Sequence, residues 1–118
     1  MKKIYYLSTC NTCTRIITEL NLPNGFLLQD IKTEPITTGQ IEAMRALTDS
    51  YESLFSKRAR LYKELGLKDK SLSEDDLKNY ILEHYTFLKR PVILYNNQIF
   101  IGNSKKTVEA AKLAIHEQ

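Results

Sequence analysis

Ile4-Tyr5-Tyr6-Leu7-Ser8-Thr9-Cys10-Asn11-Thr12-Cys13-Thr14-Arg15-Ile16-Ile17-Thr18-Glu19-Leu20 changes its hydrophobic period at a pair of cysteines. Lys3 to Leu7 carries the β-favouring side chains Ile4, Tyr5 and Tyr6 and predicts a buried strand. Beyond it, Cys13, Ile16, Ile17 and Leu20 recur at the spacing of one helical face. Asn21, Pro23, Asn24 and Gly25 then stop the helix with turn chemistry. Phe26-Leu27-Leu28 with Ile31 supplies a second strand. Two strands joined by a helix are expected to lie parallel in a right-handed βαβ unit.

From Pro35 to Lys89 the pattern is helical. Thr37 and Gln40 form a capping box ahead of Ile41, Met44 and Leu47. A second stripe runs through Tyr51, Leu54, Phe55, Arg58, Leu61, Tyr62 and Leu65, with Gly66 placed as a C-terminal cap. A third helix starts at Ser73, with Glu74, Asp75 and Asp76 complementing its dipole. After Arg90-Pro91 the period returns to that of strands. Val92 to Tyr95 and Gln98 to Ile101 flank Asn96-Asn97, a hairpin signal because asparagine tolerates positive φ. Asn103 or Ser104 caps a last helix bearing Val108, Ala111, Ala114 and Ile115. With the helical block removed, the remaining order is the βαβ–ββα of a thioredoxin-like α/β fold with a mixed four-stranded sheet. The expectation is one domain over 1–118, its core about 1–33 and 88–118 and its helical insertion about 34–87.

At 118 residues and 42% hydrophobic, the chain is long enough to build its own core. The net charge of +3 comes from scattered basic residues interrupted by Glu74-Asp75-Asp76, which gives no footprint for direct nucleic-acid binding. Met1-Lys2-Lys3 begins like a signal peptide, but Ser8 to Asn11 end the apolar run too soon for an h-region. No stretch approaches membrane-spanning length, so no membrane partner is expected and the cytoplasm is the default location.

The two cysteines, spaced C-x-x-C, cannot scaffold a secreted domain and point to redox or metal chemistry. Zinc would need further ligands, and neither His84 nor His116 has a partner at ligand spacing, so no metal is expected. A phosphatase-type C-x5-R loop is disfavoured because position 16 is Ile16, with Arg15 one residue short. Two buried spectator thiols would not need this placement. At a strand-to-helix junction, the free N–H groups and the helix dipole favour a Cys10 thiolate. Cys13 lies one turn in, on the apolar face, which suits a resolving thiol.

Two arginines have unusual settings. Arg58 falls inside the second apolar stripe, where it either points inward to an anionic or carbonyl partner or packs its stem and snorkels. Arg90 precedes Pro91 where a thioredoxin-like sheet brings the hairpin beside the C-x-x-C turn, and Pro91 is a candidate for a cis bond. The alternative for Arg90 is an exposed basic residue before an edge-strand proline. If both guanidinium groups face the thiol, they form with it a pocket for a tetrahedral oxyanion. The candidate substrate-binding set is Arg58, Arg90, Asn11, Thr12 and Pro91, around Cys10 and Cys13.

Tyr6 to Cys13, Gln29-Asp30-Ile31-Lys32, Leu54-Phe55-Ser56-Lys57-Arg58, Tyr62 to Leu67 and Leu88 to Ile93, in this order, resemble the arsenate reductase-related ArsC/Spx family over nearly the full length. The resemblance implies a thioredoxin-like core with a helical insertion, Cys10 as nucleophile, and Arg58 and Arg90 as oxyanion-binding arginines. For the reductase branch it implies arsenate as the small oxyanion substrate, no bound cofactor, and glutathione with glutaredoxin, or thioredoxin, as reductant. For the Spx branch it implies a C-x-x-C disulfide switch on a regulator that binds the RNA polymerase α subunit. Two positions depart from the reductase pattern: Thr14 stands where a basic residue is usual, and no arginine follows Arg90, only Lys105 and Lys106 lying nearby. Cys13 is not required for the glutathione route and points toward an internal disulfide.

Overall fold

The structure is a computed structural model that describes residues 1–117. In chain order its elements are β1 (Lys2–Tyr6), α1 (Asn11–Leu20), β2 (Leu27–Asp30), α2 (Thr38–Ala46), α3 (Arg60–Glu64), α4 (Glu74–Glu83), β3 (Val92–Tyr95), β4 (Gln98–Ile101) and α5 (Lys105–His116). They fall into two compact units, Met1–Glu34 with Arg90–Gln118, and Pro35–Lys89.

In the first unit the strands form one four-stranded sheet in the order β2-β1-β3-β4. β1 runs parallel to β2, with Ile4 beside Leu28, and antiparallel to β3, with Ile4 beside Ile93. β3 and β4 pair antiparallel around Asn96-Asn97, where Asn96 takes the positive φ (55°) expected of the turn. The βαβ–ββα order and mixed sheet read from the sequence are therefore the observed ones. Ile16 and Leu20 of α1 and Val108, Ala111 and Ile115 of α5 pack with Ile4, Ile93 and Tyr95 of the sheet. Burial of each isoleucine, leucine or valine among them stabilises the fold by about 1.5–3 kcal/mol. All four residues of β3 are buried, which explains their unbroken apolar run. The far end of α1 is held twice. Asn21 adopts the left-handed conformation (φ 49°) and donates its N–H to Thr18, while His116 Nε2 lies 2.7 Å from the Leu20 carbonyl.

β2 falls within the second strand expected around Phe26 to Ile31. It spans Leu27–Asp30 at the edge of the sheet, and Leu27 and Leu28 are 65% and 48% exposed. The buried residue is Gln29, whose Nε2 donates to the Glu34 carbonyl at 3.0 Å. An edge strand has a neighbour on one side only, so apolar side chains there are not obliged to be core.

The second unit keeps the predicted helix starts. Thr37 with Gln40 and Ser73 with Asp76 both complete reciprocal capping boxes. Gly66 takes the left-handed conformation (φ 64°) just beyond α3. The second apolar stripe is not one helix, however. Phe55 is extended and bridges Leu88, with Ser56 N–H donating to Phe87 at 2.7 Å and Lys89 N–H to Leu54 at 2.8 Å. These long-range bonds outcompete local helical ones, while Phe55 stacks on Phe87 with centroids 5.2 Å apart. A 3-10 turn over Glu52–Leu54 precedes the break, its start held by Glu74, whose carboxylate accepts from Tyr51 N–H (2.6 Å) and Glu52 N–H (3.2 Å). Lys78 joins Glu42 at 3.0 Å, linking α4 to α2.

Ile16 is 1% exposed at the centre of the first unit's core. Ile16→Ala is expected to cost about 2–5 kcal/mol, read as a lowered urea midpoint with an unchanged slope.

Candidate thiol site

β1 ends at Tyr6, and the chain turns through Ser8 and Thr9 so that Cys10 N–H donates to Leu7 O at 3.0 Å. Cys10 is the N-cap residue of α1, with extended backbone (φ −97°, ψ 110°), and its carbonyl accepts from Thr14 N–H at 3.2 Å. A sulfur thus occupies the place where a hydroxyl or carboxylate oxygen usually caps. Cys10 is half-buried, whereas Cys13, on the inner face, is 0% exposed.

The two sulfurs are driven apart in acidity. Burial opposes ionisation of Cys10, but the Cys13 N–H and thiol, the Thr12 N–H and the Arg90 guanidinium together hold its pKa below the ordinary value. Burial pushes the Cys13 thiol up to about 11, against the Leu7 N–H, and the neighbouring Cys10 reinforces the rise. Of the two thiols, Cys10 is therefore the one that ionises first, beside a Cys13 that stays protonated to higher pH.

Arg90 and Pro91 come beside this turn because β3 pairs antiparallel with β1, Val92 lying opposite Tyr5. The Arg90-Pro91 bond is cis, as the sequence suggested, and Pro91 O accepts from Gly102 N–H at 2.9 Å. Asn11 and Thr12 form the first turn of α1; Asn11 is exposed, and its carbonyl accepts from Thr14 Oγ1 at 3.0 Å. Cys10, Cys13, Asn11, Thr12, Arg90 and Pro91 all belong to the first unit.

Arg58 belongs to the second unit, and its position corrects the inward-facing reading. It lies in an exposed turn between the bridge at Phe55 and the start of α3. The extended pairing of Phe55 breaks the helical register that would have turned Arg58 onto the apolar face.

One residue escaped the sequence reading of the site. Asp30, at the end of β2, accepts the Ser8 hydroxyl on Oδ2, and on Oδ1 the N–H groups of Ser8 (3.4 Å) and Lys32 (3.2 Å). The Ser8 hydroxyl leads the interactions that hold its carboxyl below the usual range. Only the strand register, with Asp30 beside Tyr6, brings it to the thiol turn.

Taken together, the sheet order and a thiol pair at the start of the first helix define a thioredoxin-like protein. The chain belongs to the ArsC family, whose model matches residues 5–111. It is similar to the global transcriptional regulator Spx of Bacillus subtilis, 24% identical over 112 residues that cover 92% of this chain and 84% of the regulator. It is also 40% identical to an arsenate reductase of Neisseria meningitidis, over 50 residues covering 42% of this chain and 43% of that protein. The solved structure of an arsenate reductase from Vibrio cholerae superposes with a TM-score of 0.72 at 24% identity, covering 97% of this chain and 96% of the other. Among the described residues no helix is long and apolar enough to cross a membrane.

Thiolate absorbance near 240 nm is expected to rise in two separated steps, Cys10 below the ordinary thiol range and Cys13 near 11. Arg90→Ala should move the first step upward. A raised acid contributes stability below its unfolded value and loses it as the pH climbs through its folded one. Denaturation midpoints should therefore fall between pH 9 and about 11, and Cys13→Ala should flatten that fall.

Proposed function

We propose that the chain is a thiol-dependent reductase resembling arsenate reductase, located in the cytoplasm, with Cys10 as nucleophile and Cys13 as resolving thiol. The observation that carries this reading is a half-buried Cys10 at the start of α1 with a fully buried Cys13 one helical turn in, an arrangement that sets their acidities apart. The ionised sulfur attacks, and the buried one is kept protonated until needed. On an oxyanion such as arsenate, the Cys10 thiolate forms a sulfur–arsenic bond and an arsenate oxygen departs as water. Cys13, giving up its proton, then attacks the Cys10 sulfur. A disulfide forms, the electron pair of the sulfur–arsenic bond passes to arsenic, and arsenite leaves. Glutathione, glutaredoxin or thioredoxin returns the disulfide to two thiols. Arg90, whose charge already favours the thiolate, offsets charge on the oxyanion, while Asn11, Thr12 and Pro91 line the approach to Cys10.

A second reading is supported by the reach of the similarity, which extends over 112 residues for the Spx regulator against 50 for the arsenate reductase. In it the same pair is a redox switch on a protein that binds the RNA polymerase α subunit without turnover.

Purified protein supplied with arsenate and either glutathione and glutaredoxin or thioredoxin is expected to consume NADPH through the matching reductase. Cys10→Ser should abolish the rate. Absence of turnover with every reductant overturns the reductase reading. Capture of the α subunit that ignores Cys10–Cys13 oxidation overturns the switch.

A further inference from the structure

We infer that Asp30 is a positioning residue for Cys10, acting through Ser8 on the turn that delivers the sulfur to the start of α1. The inference rests on the thiolate reading above and concerns what holds that geometry. Leu7, Ser8, Thr9 and Cys10 form a single turn closed by the 3.0 Å bond from Cys10 N–H to Leu7 O. Ser8 is its first central residue, and both its hydroxyl and its N–H are bound by one carboxylate on the neighbouring strand. Asp30 is itself fixed by parallel pairing with Tyr6 and by Lys32 N–H at 3.2 Å. Ile31 N–H, donating to Tyr6 O at 2.9 Å, continues the pairing past the end of β2. The same turn sets both thiols. Its last residue carries the Cys10 sulfur, and the Leu7 N–H at its start acts on Cys13.

The sign of the effect separates positioning from simple charge. A nearby carboxylate, acting by charge alone, disfavours the thiolate, so removing it would lower the Cys10 pKa. Loss of positioning does the reverse, because a displaced sulfur forfeits N–H groups that hold only at short range with good alignment. Asp30→Ala and Ser8→Ala remove the same link from its two ends, while Asp30→Asn retains an oxygen that can accept from Ser8 and removes the charge.

The test is Cys10 titration at 240 nm with iodoacetamide alkylation at pH 7, on wild type, Ser8→Ala, Asp30→Ala, Asp30→Asn and the double alanine variant. Folding of each is checked by circular dichroism. Ser8→Ala and Asp30→Ala are each expected to lower the Cys10 thiolate-to-thiol ratio about threefold or more, half a pKa unit, with no further loss in the double variant. Asp30→Asn should stay at or above the wild-type fraction. A folded Ser8→Ala whose Cys10 pKa is unchanged or lowered overturns the inference and leaves the thiolate reading standing. An ordinary Cys10 pKa in the wild type overturns that reading itself. If Asp30→Ala fails to fold, Ser8→Ala alone decides.

Discussion

One sulfur standing in for an oxygen at the start of a helix is the constraint on which the site depends. The N-terminus of α1 leaves N–H groups without helical partners, and such groups are costly unless something accepts from them. In α2, α4 and α5 a threonine or serine hydroxyl accepts. At α1 no side-chain oxygen does, and the N–H groups of Thr12 and Cys13 bear on the Cys10 sulfur. A neutral thiol accepts poorly and a thiolate well, so the demand of the helix falls on the charge state of the cysteine.

The sheet serves that site by bringing two outside groups to the turn. Parallel pairing sets Asp30 beside Tyr6, and antiparallel pairing sets Arg90-Pro91 next to the strand end that leads to Cys10. The two have opposite charges and different tasks. The carboxylate is occupied by hydrogen bonds to Ser8 and Lys32, which absorb much of its negative potential, whereas the guanidinium adds a positive field to both sulfurs.

Most of the sheet unit was legible because its signals are local. The switch of period at Cys10, the asparagine pair at the hairpin and the serine or threonine caps each depend on a few adjacent residues. What the sequence hid was decided by distant backbone. The stripe from Tyr51 to Leu65 has helical spacing, yet Phe55 exchanges that register for a bridge to Leu88, thirty-three positions on, and Arg58 turns to solvent as a result. That Leu27 and Leu28 stand exposed was not legible either, because an apolar pair does not reveal whether its strand is central or at the edge. Asp30 was visible as a residue but silent as part of a site, since its relation to Ser8 spans twenty-two positions of the chain.

The complete burial of Cys13 gives the chemistry a direction. Any reagent arriving from bulk water, whether oxidant, alkylator or a partner's thiol, collides with the Cys10 sulfur first. Any mixed disulfide with another molecule would accordingly form at Cys10, leaving Cys13 sheltered one helical turn below. Of its two sulfurs, the molecule presents one to its surroundings and keeps the other insulated.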